Sequence, residues 1–272
     1  MLISLIKNSH QVFKRVTSGH SIYKNHTLLP NCVTLQPYNG IVMSTQMMVD
    51  DKNQLQEVRV PAFPRQPATV RFLAELFSYI FHPVFVPVYL VIFMVFLHPY
   101  LFAGFSPFDK VRTVIMAFVM YTFFPVVTVL LLKALKFVQT FRLSSQKDRI
   151  IPLVACGVWY FWIWYVWRNL PDYPAEAVQL TLAVWISASL GLLTNIVMKV
   201  SLHAIAIGVM LAFLFGLAFS QDLNFGIYLS AAILIAGIVC TSRFAVSDHT
   251  SQEIYGGLAV GIASMLVANF FA

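Results

Sequence analysis

Residues 225–271 read FGIYLSAAILIAGIVCTSRFAVSDHTSQEIYGGLAVGIASMLVANFF. Two apolar runs, at 225–239 and 254–271, flank a polar stretch that carries Arg243, His249 and Glu253. A helix of about twenty apolar residues crosses the hydrocarbon core of a bilayer, and these runs approach that length. The same pattern recurs upstream, at 73–102, 111–137, 150–167, 177–197 and 202–219. The chain is 59% hydrophobic and only 11% charged, where a soluble domain carries about 25% charged residues. The expected fold is therefore all-α: a polytopic helical membrane bundle of six or seven transmembrane helices. Pro83 and Pro87 would kink the start of the first span. Trp159, Trp162, Trp164 and Trp167 place the third near an interface.

Residues 1–70 differ from the rest. They form a polar N-terminal extension without a sustained period, expected to be poorly ordered, and Pro61, Pro64 and Pro67 mark a linker. Residues 71–272 form the transmembrane domain. Leu2 to Ile6 is too short for the apolar core of a secretory signal, and Met43, Met47 and Met48 leave room for a downstream start. The formal charge is +7. The basic residues sit at segment ends and in the extension, so the expected partners are the bilayer, anionic headgroups and phosphate rather than nucleic acid. Cys32, Cys156 and Cys240 show no metal-binding spacing, so neither a metal nor a cofactor is expected. The oligomeric state is not legible.

The polar stretch carries the chemistry. An Arg just before a helix and a His at its start can build an anion site from guanidinium, backbone amides and imidazole. Glu253, four residues after His249, shares its helical face and can orient the ring. Plainer readings compete. Thr250 and Glu253 also fit a capping box, and Arg243 fits a membrane-edge anchor. Two more polar clusters interrupt the apolar segments: Arg142-Leu-Ser-Ser-Gln-Lys-Asp-Arg149 followed by Pro152, and Lys199-Val-Ser201-Leu202-His203. Here too, Arg142, Lys147 and Arg149 fit interfacial anchors, and Ser201 fits a helix cap.

Together the three clusters resemble the signature of the type-2 phosphatidic acid phosphatase superfamily, from Arg142 to the end of the chain. That signature runs Lys-x6-Arg-Pro, Pro-Ser-Gly-His, then Ser-Arg-x5-His-x3-Asp. The order agrees, and so does the internal spacing of the first and third parts. Arg142 stands at the Lys position, Pro152 lies beyond the usual Pro, Val200 and Leu202 replace Pro and Gly, and Glu253 replaces Asp. The resemblance implies a metal-independent lipid phosphate hydrolase. His249 would attack phosphorus and form a phosphohistidine, and Glu253 would fix its tautomer. His203 would serve the leaving group and then the water. Arg142, Arg149, Arg243, Ser201 and the Leu202 amide would hold the phosphoryl oxygens.

Membrane parity fits this reading. Two apolar segments separate the first cluster from the second, and two more separate the second from the third, so all three fall on one face. The basic residues near the spans put that face weakly on the cytoplasmic side. The resemblance implies an extracytoplasmic site in the cell (inner) membrane, and is preferred. Three function classes remain: a phosphatase for a membrane lipid phosphate or diphosphate, a weak or inactive relative that binds phospholipid headgroups, and an anion transporter. His82 and His98 receive no catalytic role.

Overall fold

The computed structural model describes residues 41–49, 55–64, 66–137, 146–221, 223–246 and 249–271. Strands β1 (Ile41–Val49) and β2 (Leu55–Pro64) pair antiparallel, with a register shift between Val42 and Met43. β-Branched residues such as Ile41, Thr45, Val58 and Val60 suit that pairing. Pro61 and Pro64 are tolerated because each strand of a two-stranded ribbon is an edge. The sequence reading placed no regular structure in this part of the extension.

Among the described residues eight helices follow: α1 (Ala68–Ile80), α2 (Val86–Leu97), α3 (Pro107–Ala134), α4 (Gln146–Arg168), α5 (Ala175–Val197), α6 (Leu202–Ser220), α7 (Gly226–Val246) and α8 (Ser251–Phe271). Among the described residues, α3 to α8 are long and apolar enough to cross a membrane. The fold is a helical membrane bundle. Ile227, Phe219 and Phe270 stand outward, as lipid-facing residues do, while Leu180, Ile207 and Phe213 are buried between helices.

The segment expected as one span at 73–102 is two helices. α1 ends at Ile80 and α2 begins at Val86. Pro83 removes a backbone donor from the intervening turn, and Pro87 occupies the first turn of α2, where its missing N–H costs nothing. α1 has only 13 residues, about 20 Å of helix, which is short of a span. α2 packs along α6: His82 meets His203 at one end of α6, and His98 Nε2 bonds Gln221 Oε1 at 2.7 Å at the other. His98 Nδ1 also accepts the N–H groups of Tyr100 and Leu101, at 3.3 and 3.2 Å, so His98 holds a turn.

Two packing features set the site. At the start of α4, Gln146 Nε2 donates to the Asn195 carbonyl at 3.0 Å, and Asn195 Nδ2 donates back to the Gln146 carbonyl at 2.9 Å. That reciprocal pair fixes the α4 entry, and with it Arg149, against the end of α5. Elsewhere α6 and α8 cross with their backbones in contact. A Cβ on Gly261 would lie 2.1 Å from the Ile205 carbonyl oxygen, and one on Gly208 would lie 2.4 Å from that of Leu258. Small residues one turn apart, here Gly257 and Gly261, allow this approach.

Candidate functional site

The starts of α4, α6 and α8 meet at one end of the bundle. The Ser201 N–H donates to the Glu253 carbonyl at 3.1 Å, which ties the start of α6 to the first turn of α8. Arg149 Nη1 donates to the Val200 carbonyl at 2.9 Å. His249 Nδ1 lies 3.0 Å from Glu253 Oε2 and 3.2 Å from the Lys199 carbonyl. The second and third sequence clusters are thereby interleaved, and the Arg149 end of the first joins them. Arg142 lies outside the described residues.

The His249 tautomer follows from its neighbours. Both atoms facing Nδ1 are acceptors, so Nδ1 carries the proton. Nε2 is then the ring atom with the lone pair, on the edge away from Glu253. His249 is 2% exposed and borders a cavity. Burial, reinforced by Arg149, Arg243 and Lys199, holds its pKa well below the ordinary histidine value. The contact with Glu253 is thus a hydrogen bond from a neutral ring to a carboxylate, not an ion pair.

That state makes stability depend on pH. Below about pH 6.5 the unfolded chain protonates His249 while the folded site refuses the proton. Stability therefore falls as pH drops from 6.5 towards the depressed folded value. The melting temperature in detergent should decrease between pH 7.5 and 5, and His249→Asn should flatten that slope. An unchanged slope in the variant would show that other groups carry the acid sensitivity.

The cavity is about 510 Å³. Arg149, His203, Arg243, His249 and His82 border it, as does Leu202 at the start of α6. Most of the rest of its wall is apolar: Val129 and Leu130 from α3, Leu153 and Cys156 from α4, Val184 from α5, and Val209 from α6. Tyr79, Val126 and Leu130 line it while remaining 66%, 42% and 49% exposed, so it reaches the outer, lipid-facing surface. Arg149 and Arg243 are buried, unlike the membrane-edge anchors their sequence positions also allowed. Lys199 and the Glu253 carboxyl group are buried as well.

Two of the plainer readings also hold. Glu253 Oε2 accepts the Thr250 N–H at 3.0 Å, and Thr250 Oγ1 accepts the Glu253 N–H at 3.4 Å, so the capping box is present. One carboxylate caps α8 and orients His249. Ser201 Oγ caps α6 by accepting the Ala204 N–H at 3.4 Å, and Ser201 does not border the cavity. Its hydroxyl oxygen serves that cap.

α1 contributes neighbours that the clusters did not indicate. Arg243 Nη1 donates to Ser78 Oγ at 3.3 Å, and His203 Nε2 lies 3.1 Å from the Ser78 carbonyl. A carbonyl only accepts, so Nε2 of His203 carries a proton and Nδ1 is left to exchange one. The His82 ring stands edge-to-face on the His203 ring, with centroids 5.3 Å apart. The only sequence signal for these residues is the Pro83 break, which names no chemistry. No protein-family model, curated protein or solved structure matches the chain.

Proposed function

We propose that the chain is an integral-membrane phosphatase, a divergent relative of the type-2 phosphatidic acid phosphatases, that hydrolyses a lipid phosphate or diphosphate through a phosphohistidine. The observation that carries this reading is His249. Its Nδ1–H is held by Glu253, which leaves the lone pair on Nε2, and the residue borders a cavity that Arg149, Arg243 and His203 also border. A nucleophile, a proton carrier and two guanidinium groups within one buried site are what phosphoryl transfer requires. The apolar remainder of the cavity, open to the lipid-facing side, suits a substrate whose chain stays in the membrane.

In this mechanism Nε2 of His249 forms a bond to phosphorus as the P–O bond to the lipid breaks. Arg149 and Arg243 hold the phosphoryl oxygens, with the planar fork that phosphate favours. An anionic phosphoryl group bound beside it favours the protonated ring, so His203 enters as imidazolium with substrate in place. Its Nε2–H stays on the Ser78 carbonyl, and its Nδ1–H passes to the leaving oxygen. The neutral Nδ1 then takes a proton from water, which attacks phosphorus and breaks the P–N bond. Phosphate leaves and His249 is restored. Glu253 stabilises the positive charge that His249 acquires while Nε2 is bonded to phosphorus. The site faces the extracytoplasmic side of the cell membrane.

A second reading, a relative that binds phospholipid headgroups without turnover, draws on Ser201. Its hydroxyl caps α6 and Leu202 stands beside it, so the backbone approach to phosphate is more restricted than with glycine. Purified protein in detergent, offered phosphatidic acid, phosphatidylglycerol phosphate and a polyprenyl diphosphate with excess chelator, separates the two. Phosphate release that survives the chelator is the expected result. No release from any of the lipids, with vanadate still raising the melting temperature, would replace the hydrolase with the binding protein.

A further inference from the structure

The turn that ends α1 touches two key side chains of the site from outside all three polar clusters. Ser78 lies in the last turn of α1 and His82 two residues beyond its end, and both reach the His203 ring. Ser78 is buried in the α1–α7 contact. Its hydroxyl donates to the Ala74 carbonyl at 2.8 Å and accepts from Arg243 Nη1. Its carbonyl holds Nε2 of His203, and the His82 ring packs at a steep angle, T-shaped, against that imidazole. The His203 ring is therefore fixed twice by one short stretch, once at a nitrogen and once through its ring. Arg243 is fixed by the same residue that fixes His203.

We propose that Ser78 and His82 form a positioning clamp, Ser78 aligning the Arg243 guanidinium and His82 aligning the His203 ring, within the phosphatase site described above. Neither acts on the substrate. Ser78 acts through Arg243 and His203, and His82 acts by filling the space beside His203. Burial, aided by Arg243, lowers His82 to about 4, so it packs as a neutral ring. An edge-to-face contact of this kind survives replacement by phenylalanine, which keeps the ring and removes the nitrogens.

The experiment has two readouts. The first needs no activity: the rate at which diethylpyrocarbonate modifies His203, followed by mass spectrometry. His82→Ala should speed that modification several-fold, on the order of fivefold, by loosening the ring. His82→Phe should keep the wild-type rate. The second readout is phosphate release. His82→Ala should lower kcat on the order of tenfold with KM nearly unchanged, and His82→Phe should restore most of it. Ser78→Ala should instead raise KM on the order of fivefold, and Ser78→Thr should rescue it. Wild-type labelling in His82→Ala would overturn the clamp. So would a His82→Phe variant as slow as His82→Ala, because the nitrogen would then matter rather than the ring. If wild type releases no phosphate, the hydrolase reading fails and the labelling still decides the clamp. If His82→Ala does not fold, the Ser78 pair decides its half, and a Ser78→Ala variant with wild-type KM overturns it.

Discussion

His249→Ala should abolish phosphate release, with a loss of roughly 10⁴-fold or more, as removal of a nucleophile does. The argument rests on which atom is free to attack. Nδ1 is committed to Glu253 and the Lys199 carbonyl, so only Nε2 carries a lone pair. His203 does not replace it in this mechanism, because its Nε2 is protonated on the Ser78 carbonyl and its Nδ1 serves the leaving group. The fold should survive. Glu253 Oε2 keeps the Thr250 N–H, so the truncation removes hydrogen bonds from one side only. Its cost is about 1–3 kcal/mol. Wild type incubated with substrate and quenched in base should yield an acid-labile phosphoenzyme, and the variant should yield none. Normal turnover by a folded His249→Ala protein would exclude the phosphohistidine.

How far the sequence carried this depends on the kind of interaction. α3 to α8 were legible because each is a long apolar run bounded by polar turns, and hydrocarbon leaves the backbone no alternative to helix. The 73–102 segment misled because it is apolar throughout. Hydropathy registers length, not continuity, and the break depends on Pro83 and Pro87 acting locally. Arg149, His203, Arg243, His249 and Glu253 could be named in advance, since their spacing has a chemical meaning. Ser201 could be read two ways, and its observed bond is the cap. Ser78 and His82 could not be found at all. Their contacts join residues more than a hundred positions apart, through a carbonyl and a ring face that leave no pattern in the chain. The β-hairpin was missed because its strands mix polar and apolar residues without strict alternation.

Gly261→Leu should prevent the native bundle from assembling, the largest stability effect expected of any single change here. A Cβ at this position would lie 2.1 Å from the Ile205 carbonyl oxygen, 2.8 Å from Val209 N and 2.9 Å from Gly208 Cα. All three are backbone atoms of α6, so no side-chain rotation relieves the contact. The helices must separate. Overpacking a core by side chains costs about 1–3 kcal/mol, and a clash with backbone exceeds that. Separation also reaches the site: Gly261 is two turns beyond Glu253 on the same helix, and the Glu253 carbonyl bonds the Ser201 N–H at the start of α6. Prising α8 from α6 therefore withdraws His249 from Arg149 and His203. Gly237 provides the control. It is also a helical glycine, but a Cβ there meets nothing within 4 Å. Gly237→Ala should fold as well as wild type or slightly better, because alanine is the stronger helix former. Yield of monodisperse protein and melting temperature in detergent, measured for the two variants together, distinguish close helix contact from a general intolerance of substituted glycines. A Gly261→Leu protein that melts with wild type would mean that α6 and α8 do not meet backbone to backbone, and the placement of His249 beside His203 would lose its support.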